Sequence, residues 1–210
     1  MARIKLGILG PINGSVGNIV ARSWNGKNYV QSKPSHYNDA KTETQVKNRT
    51  RFIACTRLGA SALDETLIPI WRKNDHDLTW LQMFIRININ AFDETCKIAS
   101  YEMLQFSIGD LPLPDDISIH EITGSNNEFQ ISWTDNSGFD IEASTDRLMV
   151  MSIYGEEVSL LNDLTATRAD QITNISLPCE SGSVVHLYLF FINKAKSRGS
   201  ANYYQMIQLP

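Results

Sequence analysis

Residues 17–34 read GNIVARSWNGKNYVQSKP, and the reading of this stretch decides the first part of the fold. Asn25-Gly26 is the strongest short-range signal for a two-residue hairpin turn. Type I′ geometry needs positive φ at both central positions, which Asn tolerates and Gly accepts freely. The flanking residues alternate with a period of two, so the turn sets the pairing. Trp24 should oppose Lys27, Arg22 oppose Tyr29 and Val20 oppose Gln31 on one face, with Ala21 against Val30 and Ile19 against Ser32 on the other. One face is then aromatic and cationic, the other small and apolar. Pro34 cannot donate to a ladder, so it ends the second strand or lies on a sheet edge.

Upstream, Gly7, Gly10, Gly14 and Gly17 recur at short intervals. A phosphate cradle would need a G-x-G-x-x-G or Walker spacing after a strand and before a helix, and neither spacing is present. Tight turns are the expected use of these glycines. The opening residues are not expected to act as a secretory signal, because Gly7, Gly10 and Pro11 interrupt the apolar run before it reaches about 7 to 15 residues. No window approaches the roughly 20 apolar residues of a membrane span. The default compartment is therefore the cytoplasm, with signal-independent export or incorporation into a particle left open.

Downstream, Thr42-Glu43-Thr44-Gln45 has the form of a capping box, and a helix is expected from there to about Leu63. Val46, Ile53, Ala60 and Leu63, with Phe52, Cys55, Gly59 and Ala62 alongside, form its apolar stripe. Leu67 to Trp71 is broken by Pro69 and reads as a packed connection. Asp75-His76-Asp77 precedes a second helix expected to run to about Asn90. Asp75 or Asp77 serves as its N-cap in preference to a metal site, since one His and two Asp lack a fourth ligand nearby. Tyr101 to Ile108 reads as a strand, and residues 109–114 as a linker or strand-ending turn.

Beyond Pro114 the period changes to that of short strands: 117–122, 128–134, 147–154, 157–161, about 169–177, 184–194 and 202–209. Seven strands in about a hundred residues point to a β-sandwich. The run Val184 to Ile192 is apolar on both faces, so it should be central, with its second face covered by the N-terminal part or by another chain.

Charge is divided along the chain. Residues 1–57 hold ten Lys/Arg against two acids, a net +8, whereas residues 111–210 hold five against thirteen, a net −8. Such a split fits two modules with different partners, or head-to-tail attraction between copies. Three widely separated cysteines, Cys55, Cys96 and Cys179, argue for reduced thiols, with neither a disulfide framework nor a zinc site.

The second half resembles the fibronectin type III and immunoglobulin-like sandwich. Trp133 stands where that class carries an early-strand tryptophan, Tyr188 where it carries a late-strand tyrosine, and Ser197-Arg198-Gly199-Ser200 resembles the loop before its last strand. The first half is similar to a narrower group. Its spaced glycines, the Trp24-x-Gly26-Lys27 hairpin, Tyr29, Ser32 and Pro34, and the helix with Thr44-Gln45-x-x-x-Arg49-x-x-Phe52 resemble an uncharacterised bacterial family of about this length, common in Bacteroidota. That resemblance implies an immunoglobulin-like C-terminal half and no known activity. The same opening is more weakly similar to segments of some phage virion proteins.

The expected architecture is α+β: an N-terminal β-hairpin plus two helices over residues 1–111, and a seven-stranded immunoglobulin-like sandwich over 112–210. No catalytic constellation, cofactor motif or metal site is apparent. His36, His76, His120 and His186 are scattered, and no G-x-S-x-G or comparable nucleophile motif occurs. The expected function is non-enzymatic structural or assembly work through protein contacts, including self-association: a subunit of a phage-like particle, filament or surface complex. The alternative is nucleic-acid binding by a basic face of Arg22, Trp24, Lys27, Tyr29, Lys33, Lys47, Arg51 and Arg57, with the aromatics as stacking platforms. These eight residues are the candidate interaction face. The Lys194-Lys196-Arg198 cluster is expected to be a solvated turn.

Overall fold

The computed structural model describes residues 2–4, 13–24, 27–36, 38–72, 78–114, 116–124, 127–138, 141–161, 165–177 and 179–209. The contacts divide the chain into two compact units, Met1–Thr42 and Glu43–Pro210. The fold is mixed α+β, and its strand pairings within the sheets are antiparallel.

In the first unit, β1 (Ala2–Ile4), β2 (Gly14–Val16), β3 (Ile19–Trp24) and β4 (Lys27–Ser32) form one sheet in the order β1-β4-β3-β2. The β3–β4 register is the expected one throughout, from Ile19 opposite Ser32 to Trp24 opposite Lys27. The turn residues Asn25 and Gly26, like Gly7 and Gly10, lie outside the described residues. The hairpin is not an isolated ribbon, because β1 and β2 flank it. Gly17, with φ +56, makes the tight β2–β3 connection, where a side chain would be strained. Asn13 caps the open edge of β3, accepting from the Ser23 N–H at 2.8 Å.

The second unit begins with α1 (Glu43–Ala62), directly after Thr42. Its buried face is Ala54, Cys55, Leu58, Gly59 and Ala62. Of the expected stripe, Cys55, Gly59, Ala62 and Leu63 are buried, whereas Val46, Phe52, Ile53 and Ala60 are exposed. The reason is close approach: a Cβ on Gly59 would lie 2.7 Å from Phe84 Cδ1, so small residues are what this contact admits. Leu67 to Trp71 is also not a mere connection. Residues Ile68–Arg72 form α2, and Pro69 is accommodated because first-turn N–H groups have no intrahelical partner.

A third helix, α3 (Trp80–Asn88), continues as a 3-10 turn, Ile89–Ala91. Its N-cap is Thr79, not Asp75 or Asp77. Thr79 Oγ1 accepts from the Gln82 N–H at 3.3 Å and Gln82 Oε1 accepts from the Thr79 N–H at 2.8 Å. Asp75, His76 and Asp77 lie outside the described residues.

Tyr101–Ile108 is likewise corrected: it forms a 3-10 turn, Tyr101–Met103, followed by irregular chain. Side-chain amides take the place of a strand ladder here. Asn88 brackets Gln105, accepting from its N–H at 2.7 Å and donating to its carbonyl at 3.0 Å. Asn202 accepts from the Phe106 N–H at 3.0 Å and donates to the Leu104 carbonyl at 3.2 Å. Backbone groups so satisfied leave no need for a neighbouring strand.

Seven further strands follow: β5 (Ser118–Glu121), β6 (Glu128–Ser132), β7 (Arg147–Tyr154), β8 (Glu157–Leu160), β9 (Ile172–Ser176), β10 (Val184–Ile192) and β11 (Tyr203–Gln208). A short helix, α4 (Ile141–Ser144), and a 3-10 turn, Arg168–Asp170, were not anticipated. The strands form a three-stranded sheet, β5-β6-β9, and a four-stranded sheet, β11-β10-β7-β8.

Residues of both sheets share one core, including Phe129, Ile131, Ile175, Leu148, Val150, Leu187 and Phe191. The other face of β7 and β10 presents Met149, Met151, Tyr188 and Phe190 to α1, α2 and α3 in a second core with Leu67, Trp71, Phe84 and Phe106. Thus β10 is central and, from Leu187 to Ile192, covered on both faces, as its sequence requires. The break in composition at Pro112 is not a break in packing, because the helices bury their apolar face on this sheet.

Candidate functional site

The first unit carries five of the eight candidate residues, four in its sheet and Lys33 just after β4. Arg22, Lys27 and Lys33 are exposed, Tyr29 is half-buried opposite Arg22, and Trp24 pairs with Lys27 along the backbone. The remaining three lie on α1 in the other unit, where their charge is largely answered. Lys47 Nζ is 2.8 Å from both Glu43 and Glu94, and Arg51 is 4.0 Å from Glu94. Bonds to Glu43 and then Glu94 hold the Lys47 ammonium above its ordinary range. Arg57 is exposed on a different side of the helix. Glu94 is held by a turn built on Asp93, whose carboxylate accepts from the Thr95 and Lys97 N–H groups at 2.7 and 3.0 Å. Those bonds, that of Lys97 foremost, keep the Asp93 carboxyl below its ordinary range.

Exposed apolar side chains are the feature that the sequence reading missed. Val16 is 79% and Ile19 53% exposed, and the two face each other across β2 and β3. In the first unit Ala21 is the one described side chain that is fully buried. Phe52 is 51% exposed on α1 between Val46 and Ile53, and Met206 is 57% exposed on β11. Alternation and helical period locate such residues on a face; which face lacks a cover depends on what the rest of the chain can reach.

The loop bearing Lys194, Lys196 and Arg198 is tied down. Arg198 Nε donates to Asp110 at 2.9 Å, Lys196 Nζ reaches Thr66 Oγ1 at 3.4 Å, and Asn193 Oδ1 accepts from the Ser197 and Arg198 N–H groups. Beside it lies an open cleft of about 670 Å³, bordered by Leu111, Asn136, Asp146, Lys194 and Arg198. Among the described residues no group of three or more His, Cys, Asp or Glu side chains is placed to hold a metal ion. Among them, too, no helix is long and apolar enough to cross a membrane.

A family model described as "Family of unknown function (DUF6266)" matches residues 11–64 and 98–205. The chain belongs to this family. No curated protein matches it. The two matched segments of this DUF6266 chain hold β2 to α1 and nearly everything from the 3-10 turn at Tyr101 to the start of β11; α2 and α3 fall between them.

One histidine is enclosed in a way that has a measurable consequence. His186 stacks on Tyr101 with ring centroids 3.5 Å apart and planes 3° from parallel, and its Nδ1 is 2.9 Å from the Tyr204 hydroxyl. Burial holds its imidazole below the ordinary value of 6.5. The unfolded chain then takes up the proton first, so the stabilising contribution is complete above 6.5 and disappears as pH falls through the lower, folded value. The melting temperature is expected to drop between about pH 7.5 and about pH 5.5, and less so in His186→Gln. An equal drop in both proteins would show that His186 is not its source.

Proposed function

We propose that this chain is a non-enzymatic structural or assembly protein that works through protein–protein contacts, as a subunit of a phage-like particle, filament or surface complex. The observation that carries this reading is the first unit: a four-stranded sheet whose apolar pair, Val16 and Ile19, faces solvent and in which Ala21 alone is buried among the described side chains. A sheet must bury one face to be stable, so a partner surface is the natural cover. The two sheets after Pro114 are read as a fibronectin type III or immunoglobulin-like sandwich. Seven strands in the orders β5-β6-β9 and β11-β10-β7-β8 around a shared core support that reading, and so does Trp133 within the core. Sandwiches of this kind serve as rigid contact scaffolds, an inference by analogy of fold.

The test is solution mass by light scattering across a concentration series, at low and physiological salt. Mass is expected to grow with concentration, less so at higher salt because charges of opposite sign are screened. Val16→Glu with Ile19→Glu should reduce the growth without unfolding the second unit. A strict monomer over the whole series would overturn the assembly reading. Nucleic-acid binding stands second. Exposed Arg22, Lys27 and Lys33 around Tyr29 favour it, while the pairing of Lys47 and Arg51 with Glu94 weakens it. A stoichiometric mass increase on adding single-stranded DNA to the same samples would promote this second reading.

A further inference from the structure

We infer that α1 of one copy docks on the β10–β11 face of a second copy, joining chains head to tail; this rests on the assembly reading above. The first surface is the outward side of α1. Val46, Ile53 and Ala60 are spaced by seven residues, a separation that keeps them nearly in line along a helix, and Phe52 lies beside them. All four are exposed, although the opposite side of the helix is already buried against α3. The helix is therefore apolar on two sides. A helix on a protein surface ordinarily has one such side, and the second asks for a cover.

The second surface is where the helical layer stops short on the sheet. Val184, His186 and Tyr188 share a face with Gln208, Met206 and Tyr204, their partners across the ladder. Tyr188 is fully buried under the layer, which reaches His186 through the stacked ring of Tyr101. Beyond that ring Met103, Val184 and Met206 are exposed. The patch lies on the β11 side of the sheet, whereas α1 contacts β8 at the opposite edge.

Charge selects the partner. The helix carries Arg49 and Arg57 along its outward side, whereas the charges of Lys47 and Arg51 are met by Glu43 and Glu94. The patch is edged by exposed Glu102, Glu156, Glu157 and Glu180. Pairing of Tyr154 with Val185 brings the β7–β8 turn, and with it the two adjacent glutamates, to this end of the sheet. Residues 148–167, 169–193 and 199–210 contain no lysine or arginine. Two α1 stripes facing each other would set cation against cation, and two patches would set acid against acid. Stripe on patch joins opposite charges around an apolar centre. Because the two surfaces differ, the contact is heterologous and propagates into a ring or a filament.

Engineered cysteines test this directly. The exposed Cys96 and the half-buried Cys179 are first changed to serine; Cys55 is buried, with its thiol pushed up to about 12, and does not compete. Ile53→Cys and Met206→Cys are made as separate proteins and mixed under mild oxidation. Disulfide-linked dimers are expected in the mixture and not in either protein alone, and a ladder of oligomers when both changes are in one chain. In the unmodified background, Phe52→Glu should weaken association by about tenfold, while Phe52→Leu leaves it nearly unchanged. Cross-linking of Ile53→Cys by itself as fast as in the mixture would overturn the proposal in favour of α1 self-pairing. No cross-link in the mixture, while the unaltered chain grows in mass, would overturn this interface and leave the assembly reading standing. A chain that is monomeric throughout would sink both.

Discussion

Arg168→Met is expected to cost about 3–5 kcal/mol of stability, read as a lower urea midpoint with an unchanged slope. Arg168 is fully buried at the end of the two-sheet core, an uncommon place for a guanidinium. Its Nη2 lies 3.2 Å from Asp146 Oδ2, its Nη1 donates to Asn136 Oδ1, and its charge sits 4.4 Å from the centroid of Phe191. The backbone joins in as well. The Arg168 N–H donates to the Asp146 carbonyl at 2.8 Å, and the Arg168 carbonyl accepts from Trp133 Nε1 at 2.9 Å. Trp133 in turn meets Phe191 edge-on at 5.7 Å.

The arginine thus closes the end of the core over the Phe191 ring, with buried Asp146 as its counter-charge and Trp133 bonded to its carbonyl. Removing it takes the guanidinium counter-charge from the buried Asp146, and that loss dominates the cost. Arg168→Met with Asp146→Asn should therefore lose less than the sum of the two single changes. A single-variant loss below about 1 kcal/mol would mean that water reaches the pair and screens it.

The signal for this arrangement in the sequence was partial. Trp133 could be placed in a core from the alternation Phe129, Ile131, Trp133, but nothing local to Arg168 distinguishes it from a surface arginine. Its partners stand 22 and 32 residues away. The same limit applies to Lys47 and Arg51, which read as a free basic face until Glu94 is brought beside them by the fold.

What was legible follows from short-range geometry. The Asn25-Gly26 signal and the period of two were enough for the β3–β4 register, residue by residue, and the two-sided apolar run was enough to make β10 central. Periodicity was less informative for α1, because it ranks residues by hydrophobicity whereas close helix packing selects by size. Cys55, Gly59 and Ala62 went inward with the stripe, Ala54 and Leu58 joined them, and Val46, Phe52 and Ile53 were left outside. The alternating stretch from Tyr101 looked like a strand for a similar reason. Its hydrogen bonds go to Asn88 and Asn202, two amides that no local pattern connects to it. Family membership could be read from the glycine-hairpin-helix opening; a function could not, since no set of reactive side chains recurs at a chemically meaningful spacing.

Trp71→Ala should produce the other large loss, about 3–5 kcal/mol. Trp71 is almost completely buried, and its ring meets Phe84 edge-on at 5.3 Å. Phe84 packs on Phe106 at 6.2 Å and Phe106 on Tyr188 at 4.8 Å, so one aromatic series runs from α2 through α3 to β10. The indole also has a polar task, donating from Nε1 to the Phe106 carbonyl at 3.1 Å. Trp71→Phe keeps most of the packing and orphans that carbonyl, which should cost about 1–2 kcal/mol.

The pair of variants also asks how the helices and the two sheets are coupled. Residues Glu43–Pro210 form one compact unit in which the sheet supplies the floor of the helical core, so Trp71→Ala is expected to lower one shared transition. Far-UV dichroism, weighted to the helices, and tryptophan emission, to which Trp133 in the two-sheet core contributes, should then fall together. If instead helical dichroism is lost at lower urea while the emission change stays where it was, the helices unfold alone. The boundary of independent stability would in that case lie near residues 111 and 112, where the charge and the period of the sequence change.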